Sequence, residues 1–157
     1  MLIKTLIVSG PINSGKTTRL TEWCKKRKDV YGILTPKING KRVFVDVATG
    51  AQFEMEAQEN EENVLSIGKY IFRVAGFDQA KEILKHASDK KNAFLIIDEV
   101  GPLELKGEGF SVELKALLDS KDDSLQVIIV VRESLVEEVV VYFGIANNYE
   151  MFTFSGE

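Results

Sequence analysis

The segment Gly10-Pro11-Ile12-Asn13-Ser14-Gly15-Lys16-Thr17 sets two glycines five residues apart, then a lysine and a hydroxyl residue, directly after the apolar run from Leu2 to Val8. Placed between a strand and a helix, this G-x-x-x-x-G-K-[ST] spacing makes a loop that holds phosphate groups. Gly10 and Gly15 let the backbone curl until successive N–H groups point inward. The Lys16 ammonium can then reach β and γ phosphates, the Thr17 hydroxyl can ligate Mg²⁺, and the helix that follows presents its positive end.

Such a loop needs a second acidic element to hold the metal. Phe94-Leu95-Ile96-Ile97 supplies an apolar strand that ends in Asp98, the candidate Mg²⁺ ligand beside Thr17. Glu99 follows at once, placed to orient and activate an attacking water, which makes hydrolysis the natural reaction. The alternative is a Glu99 that only closes the strand or pairs with a lysine. Arg132 stands directly after a second apolar strand, at an edge where ligands gather in α/β sheets. It either stabilises charge on a γ-phosphate or opens a helix, paired with Glu133 or Glu137. Asp98-Glu99-Val100-Gly101 also spells the D-x-x-G of switch GTPases. Pro102 then stands where a water-orienting Gln would be, and no Asn-Lys-x-Asp segment reads guanine, so guanine specificity is not supported.

Several elements must position these groups. A helix is predicted from Lys16 toward Lys28, its basic end complementing the dipole in solvent. Tyr31 to Pro36 reads as a strand, Asn39-Gly40 as a hairpin turn, and 43–47 and 51–57 alternate as further strands of an antiparallel meander. After an acidic turn at 58–63, a strand is expected through Lys69 to Val74. A helix from Phe77 then buries Phe77, Ala80, Ile83, Leu84 and Ala87, with His86 facing solvent. A helix carrying Phe110, Leu114, Leu117 and Leu118 inward precedes the buried strand 125–131. Ser134 to Glu137 matches a capping box for a last helix, and Phe152 to Phe154 reads as a closing strand. Apolar strands alternating with helices predict a mostly parallel sheet covered on both faces, with the meander inserted at one edge after the first helix.

At 157 residues the chain is expected to form one domain over 1–157, and 45% hydrophobic residues suit a packed core. A net charge of −4 argues against a broad nucleic-acid footprint, so polyphosphate would be held at one local site. The single cysteine, Cys24, cannot close an intramolecular disulfide, and Met1 leads straight into the first strand with no signal peptide. A reducing cytoplasm is therefore expected. No apolar run approaches the roughly 20 residues of a membrane span.

Four segments together resemble a known family: GPINSGKTT; YGILTPKINGKRVFVDVATG; SIGKYIFRV followed by Phe77 and Ala80; and FLIIDEVGPLEL followed by Phe110 and Val131-Arg132. They are similar to the small P-loop nucleoside-triphosphatases first named from hyperthermophiles, whose vertebrate member is called cancer-related nucleoside-triphosphatase. The resemblance spans nearly the whole chain, and IDEVGPLEL is its most specific part. It implies a RecA-like sheet core and slow, Mg²⁺-dependent hydrolysis of several nucleoside triphosphates, ATP and GTP among them, to diphosphate and phosphate. The implied nucleotide site is Gly10 to Thr18 with Ile97 to Gly101, so that Thr18, Ile97 and Val100 join the residues above. Family members often carry Asn-Arg-Asp after the last helix, where this chain has Asn147-Asn148-Tyr149. Two rival readings remain: a small-molecule or nucleotide kinase, which would need several lid arginines where Arg19, Arg27, Arg42, Arg73 and Arg132 are scattered, and a nucleotide-gated switch or binding protein.

Overall fold

The computed structural model describes residues 4–11, 15–120 and 124–154. Four apolar segments and the short Tyr149–Met151 become five parallel strands: β1 (Thr5–Gly10), β2 (Val30–Leu34), β8 (Ala93–Asp98), β9 (Leu125–Arg132) and β10 (Tyr149–Met151). Their order across the sheet is β10-β1-β9-β8-β2. The continuous apolar run of β9 reflects burial on both faces. Ile128 and Val130 point toward α1 (Lys16–Lys25), where Leu20 and Cys24 meet Val8, Val30 and Ile96. Val127, Ile129 and Val131 point the other way with Leu95 and Ile97, toward α2 (Val74–Ala87), α4 (Ser111–Asp119) and α5 (Val136–Tyr142). Side chains alternating across each strand thus build two cores from one sheet.

Beyond β2 the sheet turns antiparallel. Strand β4 (Lys41–Asp46) pairs with β2, with β3 (Lys37–Ile38) and with β5 (Gln52–Glu54). Asn39 and Gly40 form the predicted two-residue turn, both at positive φ (54° and 80°). The meander therefore lies at one edge, as its turn signals require.

Five expectations about elements are corrected. The first helix stops at Lys25: Arg27 pairs with Asp29 at 2.7 Å and lies 4.8 Å from the Trp23 ring centroid, folding back where solvation was expected. The segment expected as one strand through Lys69 to Val74 is the second arm of a hairpin, β6 (Val64–Ile67) with β7 (Tyr70–Arg73), turned at Gly68-Lys69. Val74 continues the alternation of Tyr70 and Phe72 but begins α2, three residues before Phe77. A single bridge, Glu56 to Phe72, joins the hairpin to the meander among the described residues. No capping box forms at Ser134; a 3₁₀ turn over Glu133–Leu135 leads into α5, with no side-chain cap. The closing strand is Tyr149–Met151, while Phe152 and Phe154 serve as packing, Phe152 edge-on to Trp23 at 5.2 Å.

A short helix unforeseen in the sequence, α3 (Pro102–Leu105), follows β8. Glu104, 3% exposed, holds it: one carboxyl oxygen accepts the Gly101 N–H at 2.8 Å and the other accepts the Phe110 N–H at 2.9 Å. Burial outweighs these two donors and pushes the Glu104 carboxyl up to about 7. A folded carboxyl that binds its proton more tightly than the unfolded one stabilises the fold at low pH, and this contribution is lost as pH rises from the usual carboxylate range through about 7. Denaturant melts should therefore show stability falling by up to about 3 kcal/mol between pH 4.5 and 7.5 from this group. In Glu104→Gln that part of the pH slope should vanish; a slope unchanged by the substitution would place its origin elsewhere.

Candidate functional site

The predicted loop connects β1 to α1 at the carboxyl end of the sheet. Gly15 takes φ 84°, a left-handed turn that a side chain would disfavour, and starts α1 with no side-chain cap. The first-turn N–H groups of α1 thereby stay available to an anion. Lys16 Nζ donates to the carbonyls of Gly10 (3.2 Å) and Pro11 (2.8 Å), which holds the ammonium at the end of β1. Thr18 is exposed beside it. Ile12, Asn13 and Ser14, also expected at the site, lie outside the described residues.

Strand β9 separates β1 from β8, and its register sets Arg132 beside Gly10 and Val130 beside Asp98. Three strand ends therefore converge, carrying the loop, Arg132, and Asp98 with Glu99. Asp98 is 1% exposed. Its Oδ2 accepts from the Thr17 hydroxyl at 2.8 Å and from the Thr35 N–H at 3.0 Å, and its Oδ1 is buried with no hydrogen-bond partner. Burial raises the Asp98 carboxyl above the usual range, against the Thr35 N–H, the Thr17 hydroxyl and Arg42.

Glu99 is half-buried, with Oε1 3.9 Å from Arg132 Nη2. Burial and then the Asp98 carboxylate raise its carboxyl, opposed by Arg42, Arg132 and Lys16. Ile97 and Val100 are fully buried. The Val100 N–H donates to the Val130 carbonyl at 2.8 Å, so these two residues fix backbone and present no side chain to the site.

Two cavities meet at Glu99. The first, about 310 Å³, is floored by Gly15, Lys16, Thr17 and Thr18. The second, about 240 Å³, lies beyond Glu99 between Gly101, α3 and the β6–β7 hairpin. Thr35, Lys37, Arg42, Glu99 and Arg132 line both. Arg42 and Lys37 are site residues that the sequence reading missed. They sit on the meander, far from the loop in sequence, and only the antiparallel pairing of β4 with β2 brings Arg42 over the carboxylates. The scattered arginines divide accordingly. Arg42 and Arg132 gather at the cavities, whereas Arg27 pairs with Asp29, Arg73 with Glu54 and Glu61, and Arg19 lies over Phe154. Asn148 accepts the Lys4 N–H at 3.3 Å beside β10.

Comparison with known proteins gives concordant results. A family model described as NTPase matches residues 5–155. A curated relative from Pyrobaculum aerophilum, named nucleoside-triphosphatase THEP1, is 30% identical over 119 residues; the match covers 71% of this chain and 65% of that relative, so the chain spans less than two thirds of its length. Among solved structures, THEP1 from the hyperthermophile Aquifex aeolicus superposes with a TM-score of 0.75 at 18% identity, covering 97% of this chain and 90% of the other. A human cancer-related nucleoside triphosphatase superposes at 0.70, also with 18% identity, covering 98% and 90%. These superpositions establish a shared fold. The mostly parallel P-loop sheet is thus the one anticipated.

Arg132 has Glu99 as its ion partner, at the outer limit of pairing and partly exposed, so the pair itself contributes little to stability. Arg132→Ala should weaken binding of inorganic triphosphate, measured by calorimetry, by about tenfold, or about 1.4 kcal/mol. Its thermal midpoint should hold within a degree or two. Unchanged affinity with a midpoint several degrees lower would make Arg132 a residue that only starts the following helix.

Proposed function

The chain belongs to the NTPase family, and on that premise we propose that it hydrolyses nucleoside triphosphates to diphosphate and phosphate, with Mg²⁺ and with weak selectivity for the base. The observation that carries this reading is Glu99, whose carboxylate faces the cavity above Lys16 and Thr17 one residue after a buried metal-type aspartate. In the proposed arrangement the loop amides from Gly10 to Thr18 and the Lys16 ammonium hold the β and γ phosphates. Glu99 accepts the proton of the attacking water, and its raised carboxyl makes it a better base than an exposed glutamate. Arg132 and Arg42, both partly buried at the cavity rim, offset negative charge on the transferring group.

Mg²⁺ suits the donors present. Asp98 Oδ1 is a buried oxygen with no partner, and the Thr17 hydroxyl beside Oδ2 completes a set of hard oxygen ligands. Asp98 and Thr17 would hold the ion, which when bound neutralises charge on the phosphate oxygens. We place the enzyme in the cytoplasm, consistent with one buried cysteine and with no described helix long and apolar enough to cross a membrane. No nucleic-acid partner enters this reading.

Lys16 acts on phosphate charge in ground and transition states alike, whereas Glu99 acts on the water. Lys16→Ala should therefore weaken both nucleotide binding and turnover. Glu99→Gln should bind nucleotide normally and release phosphate at least about a hundredfold more slowly, the range for loss of a general base. Near-normal release by Glu99→Gln would move the water-activating role elsewhere.

With no guanine-reading segment in the chain, ATP and GTP should be hydrolysed at rates within about tenfold of each other, and EDTA should stop both. A preference above about a thousandfold would require roughly 4 kcal/mol of dedicated base contacts and would overturn the unselective reading.

A further inference from the structure

Hydrolysis requires the cavity above Lys16 and one water at Glu99. A site for one water takes only about 15 Å³. The second cavity, about 240 Å³, far exceeds this and has the wrong lining for water: Met55, Ile67, Tyr70, Phe72, Phe77 and Phe110 form its walls. The aromatic rings lie close together, Phe77 to Phe110 at 5.1 Å and Phe72 to Phe77 at 6.0 Å between centroids. Glu104 reaches the same space, but both its oxygens already accept backbone N–H groups. Ordered water needs two to four polar partners. Besides Glu104 and Tyr70, the polar lining here is Thr35, Lys37, Arg42, Asp98, Glu99 and Arg132, five of which are shared with the first cavity, so the aromatic remainder offers water few partners.

We propose that this cavity seats a second substrate, a small uncharged alcohol built on a planar ring, and that the enzyme transfers the γ-phosphoryl group to its hydroxyl. The inference rests on the nucleotide being held at the Lys16 loop as proposed above. A ring fits edge-on or offset against Phe72, Phe77 and Phe110. The lining sets three carboxyl groups, Asp98, Glu99 and Glu104, against three cations, Lys37, Arg42 and Arg132, a balance that suits an uncharged acceptor. With the ring among these walls, the hydroxyl comes to the Glu99 end, where the cavities join. Glu99 takes the hydroxyl proton, the alcohol oxygen bonds to the γ phosphorus, and the bond from that phosphorus to the β–γ bridging oxygen breaks. The bridging oxygen leaves with the electron pair on the nucleoside diphosphate. The products are a phosphate monoester, the diphosphate and one proton released from Glu99 to solvent. Lys37, Arg42 and Arg132, shared by both cavities, flank the position where the new phosphate ester forms.

The test follows radiolabel from γ-labelled ATP with Mg²⁺ in the presence of benzyl alcohol, uridine or adenosine, with ringless glycerol as comparison. Ester formation from at least one ring alcohol should exceed that from glycerol at least tenfold at equal concentration. Ile67→Trp, which fills the cavity from its hairpin wall, should cut the ratio of ester to inorganic phosphate at least tenfold in a protein whose thermal melt shows it folded. Tyr70→Ala, at the 47% exposed edge of the same wall, should raise the KM for the alcohol and leave the KM for ATP in place. Release of phosphate without any alcohol reads the hydrolysis proposal separately. If that release proceeds while label passes to ring alcohols no better than to glycerol, the second-substrate site is overturned and hydrolysis stands. An alcohol that binds and inhibits without accepting label likewise overturns the transfer. Ester formation that Ile67→Trp leaves unchanged places the acceptor outside this cavity.

Discussion

The carboxylate of Asp98 is the group on which the arrangement depends. Through one oxygen it joins the first turn of α1, by the Thr17 hydroxyl, to the start of the meander, by the Thr35 N–H. The loop, the end of β8 and the exit from β2 are thereby fixed relative to one another at a point 1% exposed. A buried anion with only two neutral donors is costly to maintain. Its second oxygen is buried with no hydrogen-bond partner, so the compensation supplied from within the described residues is incomplete. A cation at that oxygen would relieve the burial that now raises the carboxyl.

Strand order does the rest of the positioning. Because β9 lies between β1 and β8, the phosphate loop and the acidic strand stand two sheet spacings apart, about 10 Å. The intervening strand end is not wasted, since it carries Arg132 into the middle of the gap. The antiparallel meander buries Phe44 against Phe77 and Phe110 in the core and also lines the site with Lys37 and Arg42. The inserted edge therefore acts as the second wall of the site.

The chemistry-bearing residues were legible where local spacing encodes them. A glycine pair with lysine and threonine suits a strand-to-helix turn, and the apolar run closed by two acids ends at the carboxyl end of the interior strand β8. The parallel core followed from the continuous burial of Val127 to Val131, which periodicity alone reveals. Arg42 was not legible, because its place depends on pairing between β4 and β2 rather than on neighbours in sequence. Nor was α3, whose four residues are held by Glu104 contacts to Gly101 and Phe110 more than by any helical pattern. The hairpin was misread for a related reason: Tyr70, Phe72 and Val74 keep one alternation across a boundary that tertiary packing draws at Arg73. The expected capping box failed because Glu133–Leu135 wound into a tighter turn, placing the helix start one residue later than a Ser134 cap suggests.

The hairpin β6–β7 is a two-stranded ribbon of four residues per strand, joined to the sheet by one bridge at Phe72. Isolated ribbons of this size are marginal in water, so the hairpin depends on Phe72, Leu65 and Ile67 packing against the core and is the element from which local opening is expected first. Local opening of the hairpin would leave the parallel sheet, with Lys16, Asp98 and Glu99 at its carboxyl end, in place. On the reading proposed above, a molecule entering past the hairpin and phosphates held at the Lys16 loop would then come and go independently.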